Sequence, residues 1–122
     1  MKADYILLAV DSPAESANFY QVVLGTTPLE LSPTFALFKM NESTKLGLWS
    51  RKTIEPKVIV DAGGSELAIS VDDRERVDAL HAEWSKKGVT ILQEPVAMDF
   101  GYTFTGADPD GHRLRVFTPE GI

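Results

Sequence analysis

The chain carries one pattern twice. The stretch DYILLAVDSPAESANFY, beginning at Asp4, aligns without gaps on SELAISVDDRERVDALH, beginning at Ser65. Farther on, Gly25 in LGTTPLE matches Gly88 in KGVTILQ, and ESTKLGLW ending at Trp49 matches DGHRLRVF ending at Phe117. The offset between the copies grows along the chain, as it does when loops lengthen inside the second copy. A copy of about 60 residues is marginal as an independent domain, so the two must share a sheet or a partner chain. The expectation is one domain of two like-built modules, residues 1–62 and 63–122.

Within each copy the hydrophobic period changes from two to that of a helix and back. Tyr5–Val10 alternates as a strand, with Tyr5, Leu7 and Ala9 on one side and Ile6, Leu8 and Val10 on the other. Asp11 or Ser12 then caps a helix with Pro13 in its first turn, carrying Ala14, Ala17, Phe19, Val22 and Leu24, and stopping at Gly25. Phe35–Met40 and Lys45–Trp49 read as a hairpin around NEST, and Lys57–Val60 as a further strand. In the second copy, Glu66–Val71 is the strand and Asp72–Asp73 cap a helix running to Lys86–Lys87, a basic end that suits the helix dipole. Val89–Leu92, Thr103–Thr105 and His112–Phe117 complete it, with DPDG (Asp108–Gly111) as a tight turn.

Composition narrows the class of function. A net charge of −6 argues against a nucleic-acid partner, which would require a basic face. No apolar run approaches the length of a membrane span, and Lys2 is followed too soon by Asp4 for a secretory leader. The absence of cysteine excludes disulfides and thiolate metal sites and fits a cytoplasmic protein.

Strand, helix and three strands, twice over, with VDSPAESANFY, VDDRERVDAL and DPDGHRLRV at fixed places, resembles the vicinal oxygen chelate superfamily. That group holds glyoxalase I, extradiol dioxygenases, and the fosfomycin and bleomycin resistance proteins. The resemblance implies an α+β fold of two βαβββ modules, each curling a sheet into half of a cup, and a homodimer. It also implies four inward positions for a divalent metal, which fall here on Tyr5, Gly47, Glu66 and Arg115. Only Glu66 is a good ligand, since glycine has no side-chain donor and a guanidinium keeps its proton. His81 and His112 fall outside the cup-facing positions. No metal or other cofactor is expected.

A narrower resemblance lies in LGLWSR, VDALHAEW and EPVAMDFGYTF, which look like the phenazine antibiotic resistance proteins of that superfamily. These bind and sequester a planar aromatic drug, stacking it on aromatic side chains, and the carry-over puts Trp49 in the stacking role. Gly47 beside Trp49 would leave open space at the indole face. Strand parity adds Tyr5, Glu66, Ser70 and Arg115 to the ligand-facing set, and turns Arg113 and Phe117 inward as well. Phe38, Met98, Phe100 and Tyr102 join it as an aromatic and soft supply, and Trp84 is assigned to packing. Tyr102 stands where these proteins usually carry an arginine.

Three functions suit such a chain: a homodimeric binding protein for a planar aromatic small molecule, a metal-free enzyme using Glu66 and Arg115, or a sheet-forming module of a larger assembly. The sequence offers no cysteine nucleophile and no Ser–His pair at corresponding positions, which favours binding over catalysis.

Overall fold

The computed structural model describes residues 1–120. The chain divides into two compact units, Met1–Val60 and Asp61–Ile122, close to the boundary of the repeat. The first contains β1 (Tyr5–Val10), α1 (Pro13–Leu24), β2 (Glu30–Leu31), β3 (Phe35–Lys39) and β4 (Lys45–Ser50). The second contains β5 (Glu66–Ser70), α2 (Arg74–Lys86), β6 (Thr90–Met98), β7 (Gly101–Ala107) and β8 (Arg113–Pro119). Each is βαβββ, and the sheet orders β1-β4-β3-β2 and β5-β8-β7-β6 are equivalent. In both, the first and last strands run parallel and the other neighbours antiparallel. The α+β fold of two βαβββ units that the resemblance implies is the fold observed.

Local chemistry explains the elements. Ser12, in extended backbone, accepts from the Glu15 N–H, and Pro13 opens α1 where its missing N–H costs nothing. Gly25 closes α1 at φ 69°, a left-handed conformation suited to glycine. Asp73 caps α2 by accepting from the Arg76 N–H at 2.8 Å. In the DPDG turn, Asp108 Oδ1 accepts from the N–H groups of Asp110 and His112, both at 2.9 Å.

The buried stripe of α1 differs from the expected one. It runs Pro13, Ser16, Ala17, Tyr20, spaced as one helical face, while Val22 is exposed. Phe19 instead meets the edge of the Tyr20 ring. Lys57–Val60 joins neither sheet, and the guanidinium of Arg51 donates to the Val60 carbonyl. The short β2 had no signal in the alternation.

One face of each sheet takes a helix. Leu46, Leu48, Ala36 and Phe38 are fully buried in the first unit, as are Leu114, Val116 and Phe104 in the second. Burying each leucine, valine or phenylalanine contributes about 1.5–3 kcal/mol, so each unit is held by its own helix-packed face. Trp84 packs edge-to-face on Phe104 with ring centroids 5.2 Å apart, which makes it core as expected. Among the described residues, no helix is long and apolar enough to cross a membrane.

Candidate functional site

The strand register shows what each sheet presents on the face away from its helix. In the first unit, Tyr5, Lys45 and Lys39 form one row, Leu7, Gly47 and Leu37 the next, and Ala9, Trp49 and Phe35 the third. Tyr5 is 54% exposed and Leu7 49%, so much of this apolar face is in solvent. The Lys45 ammonium lies 5.3 Å from the centre of the Tyr5 ring. Phe35 meets Trp49 edge-to-face, centroids 6.4 Å apart, and the half-buried indole stands on the open face.

Gly47 does not leave the expected gap. A Cβ at this position would lie 2.6 Å from Leu7 Cδ2 and 2.8 Å from Phe35 Cζ. The neighbouring side chains lean over the glycine and fill the space that the sequence suggested was open. Phe38 also departs from the expected set. Its partner across the hairpin is Leu46, it is fully buried, and its ring faces Tyr20 of α1 at 6.5 Å. It belongs to the helix-packed face.

In the second unit the corresponding rows are Glu66, Arg113 and Ala107; Ala68, Arg115, Thr105 and Gln93; and Ser70, Phe117, Thr103 and Val96. Arg115 donates from Nε to Glu66 Oε1 at 2.7 Å and from Nη2 to Oε2 at 3.0 Å. Arg113 Nη2 adds a contact of 2.6 Å to Oε2. Arg115 Nη1 reaches the other way, to Gln93 Oε1 at 3.0 Å and Thr103 Oγ1 at 3.2 Å. Phe100, in the β6–β7 turn, stacks edge-on to Phe117 at 5.9 Å, with the Arg115 guanidinium 5.8 Å from its centre. Met98 is half-exposed beside Gln93, and Ser70 is exposed at the end of β5.

Tyr102 lies on the opposite face. Its hydroxyl donates to Asp78 Oδ1 on α2 at 2.8 Å, and the Arg74 guanidinium sits 4.6 Å above its ring. Arg74 in turn binds both oxygens of Glu120 at 2.7 Å. Tyr102 therefore ties β7 to α2 and does not join Arg115. The hydrogen bond to Asp78 is the main cause that raises its phenol pKa. His81 is likewise structural, set against the Phe104 ring and 2.6 Å from Glu94.

The open face of unit 2 thus joins Glu66, Met98, Phe100 and Arg115 with Arg113, which strand parity also turned inward, and adds Gln93, Thr103 and Thr105, which sequence reasoning did not place there. The alternation T-F-T at Thr103–Thr105 was the available signal for two of them. The Glu66 carboxyl is held below its ordinary pKa, first by the hydrogen bond from Arg115 and then by the charges of Arg115 and Arg113, against an opposing effect of burial. A divalent cation would have to displace two guanidinium groups from this carboxylate. Among the described residues, no three His, Cys, Asp or Glu side chains come together as a metal would need. The four positions implied for a metal do not suit one.

The chain matches the family model of the Glyoxalase/Bleomycin resistance protein/Dioxygenase superfamily over residues 2–116. It is 31% identical over 113 residues to the phenazine antibiotic resistance protein EhpR of Enterobacter agglomerans, covering 90% of this chain and 86% of that protein. It is similar to protein ATC0852 of Agrobacterium tumefaciens, solved by NMR in solution, at 51% identity and a TM-score of 0.89, over 99% of this chain and 100% of that one. A glyoxalase-related enzyme from Fulvimarina pelagi shares the fold at 24% identity and a TM-score of 0.86, over 97% and 88% of the two chains. With its duplicated βαβββ units and a family match that spans nearly the whole sequence, the chain belongs to the Glyoxalase/Bleomycin resistance protein/Dioxygenase superfamily.

Proposed function

We propose that this protein is a metal-free binding protein of the cytoplasm that sequesters a planar aromatic small molecule of the phenazine type and so confers resistance to it. The observation that carries the reading is the position of Trp49. Its indole stands with Phe35 on the open face of the first sheet, apart from the leucines that pack against α1. An exposed apolar face that includes a tryptophan suits stacking of a flat ring. The similarity to EhpR over most of both chains supports the ligand class. Glu66 supports the absence of metal, because two arginines already occupy its oxygens.

The test is a fluorescence titration with phenazine in a Trp84→Phe background, where Trp49 is the sole indole, with mass spectrometry of the compound afterwards. Saturable quenching and unchanged phenazine are expected. A converted product would favour instead a small-molecule enzyme of the same superfamily. Elemental analysis should show no stoichiometric zinc, nickel, manganese or iron; one tightly held metal per chain would defeat the metal-free reading.

The working form in this proposal is a homodimer. β1 and β6 are edge strands that carry exposed Tyr5 and Leu7, and Leu92, Val96 and Met98. Unpaired edges with apolar side chains are surfaces that soluble proteins cover.

A further inference from the structure

We propose that the side-chain amide of Gln93 is a specificity-determining hydrogen-bond donor, which selects ligands carrying an anionic acceptor group such as a carboxylate. The inference deepens the reading above and rests on it, since the ligand is taken to be a planar aromatic compound.

Arg115 is the obvious partner for an acceptor, but its donors are largely committed. Of the five N–H groups of a guanidinium, Nε and one on Nη2 go to Glu66, and both on Nη1 go to Gln93 and Thr103. Thr103 can accept because its own hydrogen points elsewhere, to the Val116 carbonyl at 2.8 Å. Arg115 therefore acts inward, as a support.

What it supports is the orientation of Gln93. Gln93 Oε1 accepts from Arg115 Nη1 at 3.0 Å and from the buried Thr105 hydroxyl at 3.3 Å. Both lone pairs of the amide oxygen are then used. A flipped amide would set its NH2 against a guanidinium, two donors face to face. The amide nitrogen must therefore point the other way, where its partner among the described residues is the Met98 sulfur at 3.5 Å, a weak acceptor. The two N–H donors of this amide are thus fixed in place, one of them against the Met98 sulfur, in the same sheet face as Phe100 and Phe117.

The register shows that this placement is built. The β6–β7 pairing shifts between Ile91 and Gln93, so that Gln93 and not Leu92 stands opposite Thr105. Such a bulge re-aims a side chain. The charge around it also has a sign. Arg113 and Arg115 against Glu66 leave the cluster at +1, in a chain whose net charge is −6. An anionic acceptor is favoured at this place and not over the surface at large.

Gln93→Glu is the informative variant, because it keeps an oxygen for Arg115 and Thr105 and replaces the donor by an acceptor. Phenazine-1-carboxylate and 1-methylphenazine are the two probes, similar in shape and different in the acceptor. With Gln side chains labelled by nitrogen-15, the Gln93 amide signals should move with the carboxylate and stay with the methyl compound. Q93E should weaken carboxylate binding at least tenfold and leave 1-methylphenazine within twofold. Gln93→Met, which removes both amide atoms, should give the same order if Q93E folds poorly. Equal losses for both probes, or no movement of the Gln93 signals, would overturn the proposal. Trp49 fluorescence in the same titration separates the two readings. Quenching without a Gln93 response sinks the donor role alone, a Gln93 response without quenching sinks the Trp49 stacking reading alone, and silence in both sinks both.

Discussion

Trp49 and Glu66 are the two residues whose roles can be tested most directly. If a ring stacks on the indole, Trp49→Ala removes contact area and a stacking contribution of about 0.5–1.5 kcal/mol beyond burial. The loss should total about 2–3 kcal/mol, or about 30- to 150-fold in Kd for phenazine by calorimetry. Leu46 and Leu48 carry the packing of β4, so the fold should survive. Trp84→Phe should lower stability and leave affinity within a few-fold; a Trp49→Ala protein that binds as well as the parent would move the site elsewhere. Glu66 gives a pH signature. Its folded carboxyl releases its proton at lower pH than an unfolded one, so its pairs with Arg115 and Arg113 stabilise the fold above the ordinary carboxylate range. That contribution is lost as pH falls through the lowered value. The stability gap between the parent and Glu66→Gln should be widest near neutral pH and close on acidification, as read from urea midpoints. A gap that stays constant with pH would contradict the assignment.

The elements show where side-chain alternation could be read and where it could not. Tyr5–Val10 and Lys45–Ser50 are uninterrupted strands in parallel register, so parity placed Trp49 opposite the leucines correctly. Phe38 needed the register of the β3–β4 hairpin, which the connection from Met40 to Thr44 does not fix in sequence terms. Tyr102 lies on β7, whose pairing with β8 is unbroken, so its face follows from the parity of Phe104 once the strand's start at Gly101 is known. Gln93 depended on β6, where the pairing shifts twice, once on each side of it. Each shift reverses which side chains share a face. Gly47 was misjudged for another reason, since a missing side chain says nothing about what neighbours lean into its place. Gly101 offers the sharpest prediction at this scale. It has φ 150°, and a Cβ there would run into the carbonyl of Thr118 on β8. Gly101→Ala should cost on the order of 3 kcal/mol by opening the β7–β8 end. Chemical denaturation that finds less than about 1 kcal/mol would show that this end of the sheet yields easily.

At the scale of the whole chain, the duplication was the most legible feature, because strand, helix and turn signals agree with one another in both copies. It could not reveal partners. The proposed homodimer, two chains of 13.4 kDa, should give about 27 kDa by light scattering at micromolar concentration, twice the single-chain mass. A single-chain mass would show that the exposed edges are tolerated. The slack in β6 has a genetic consequence. Because its pairing already absorbs an extra residue beside Leu92, loss of the single codon for Gln93 could be accommodated by straightening the strand. Leu92 would then stand opposite Thr105, and a polar contact point would become a greasy one. If the proposed binding role holds, a three-nucleotide deletion in this strand would change what the protein recognises with no change of architecture.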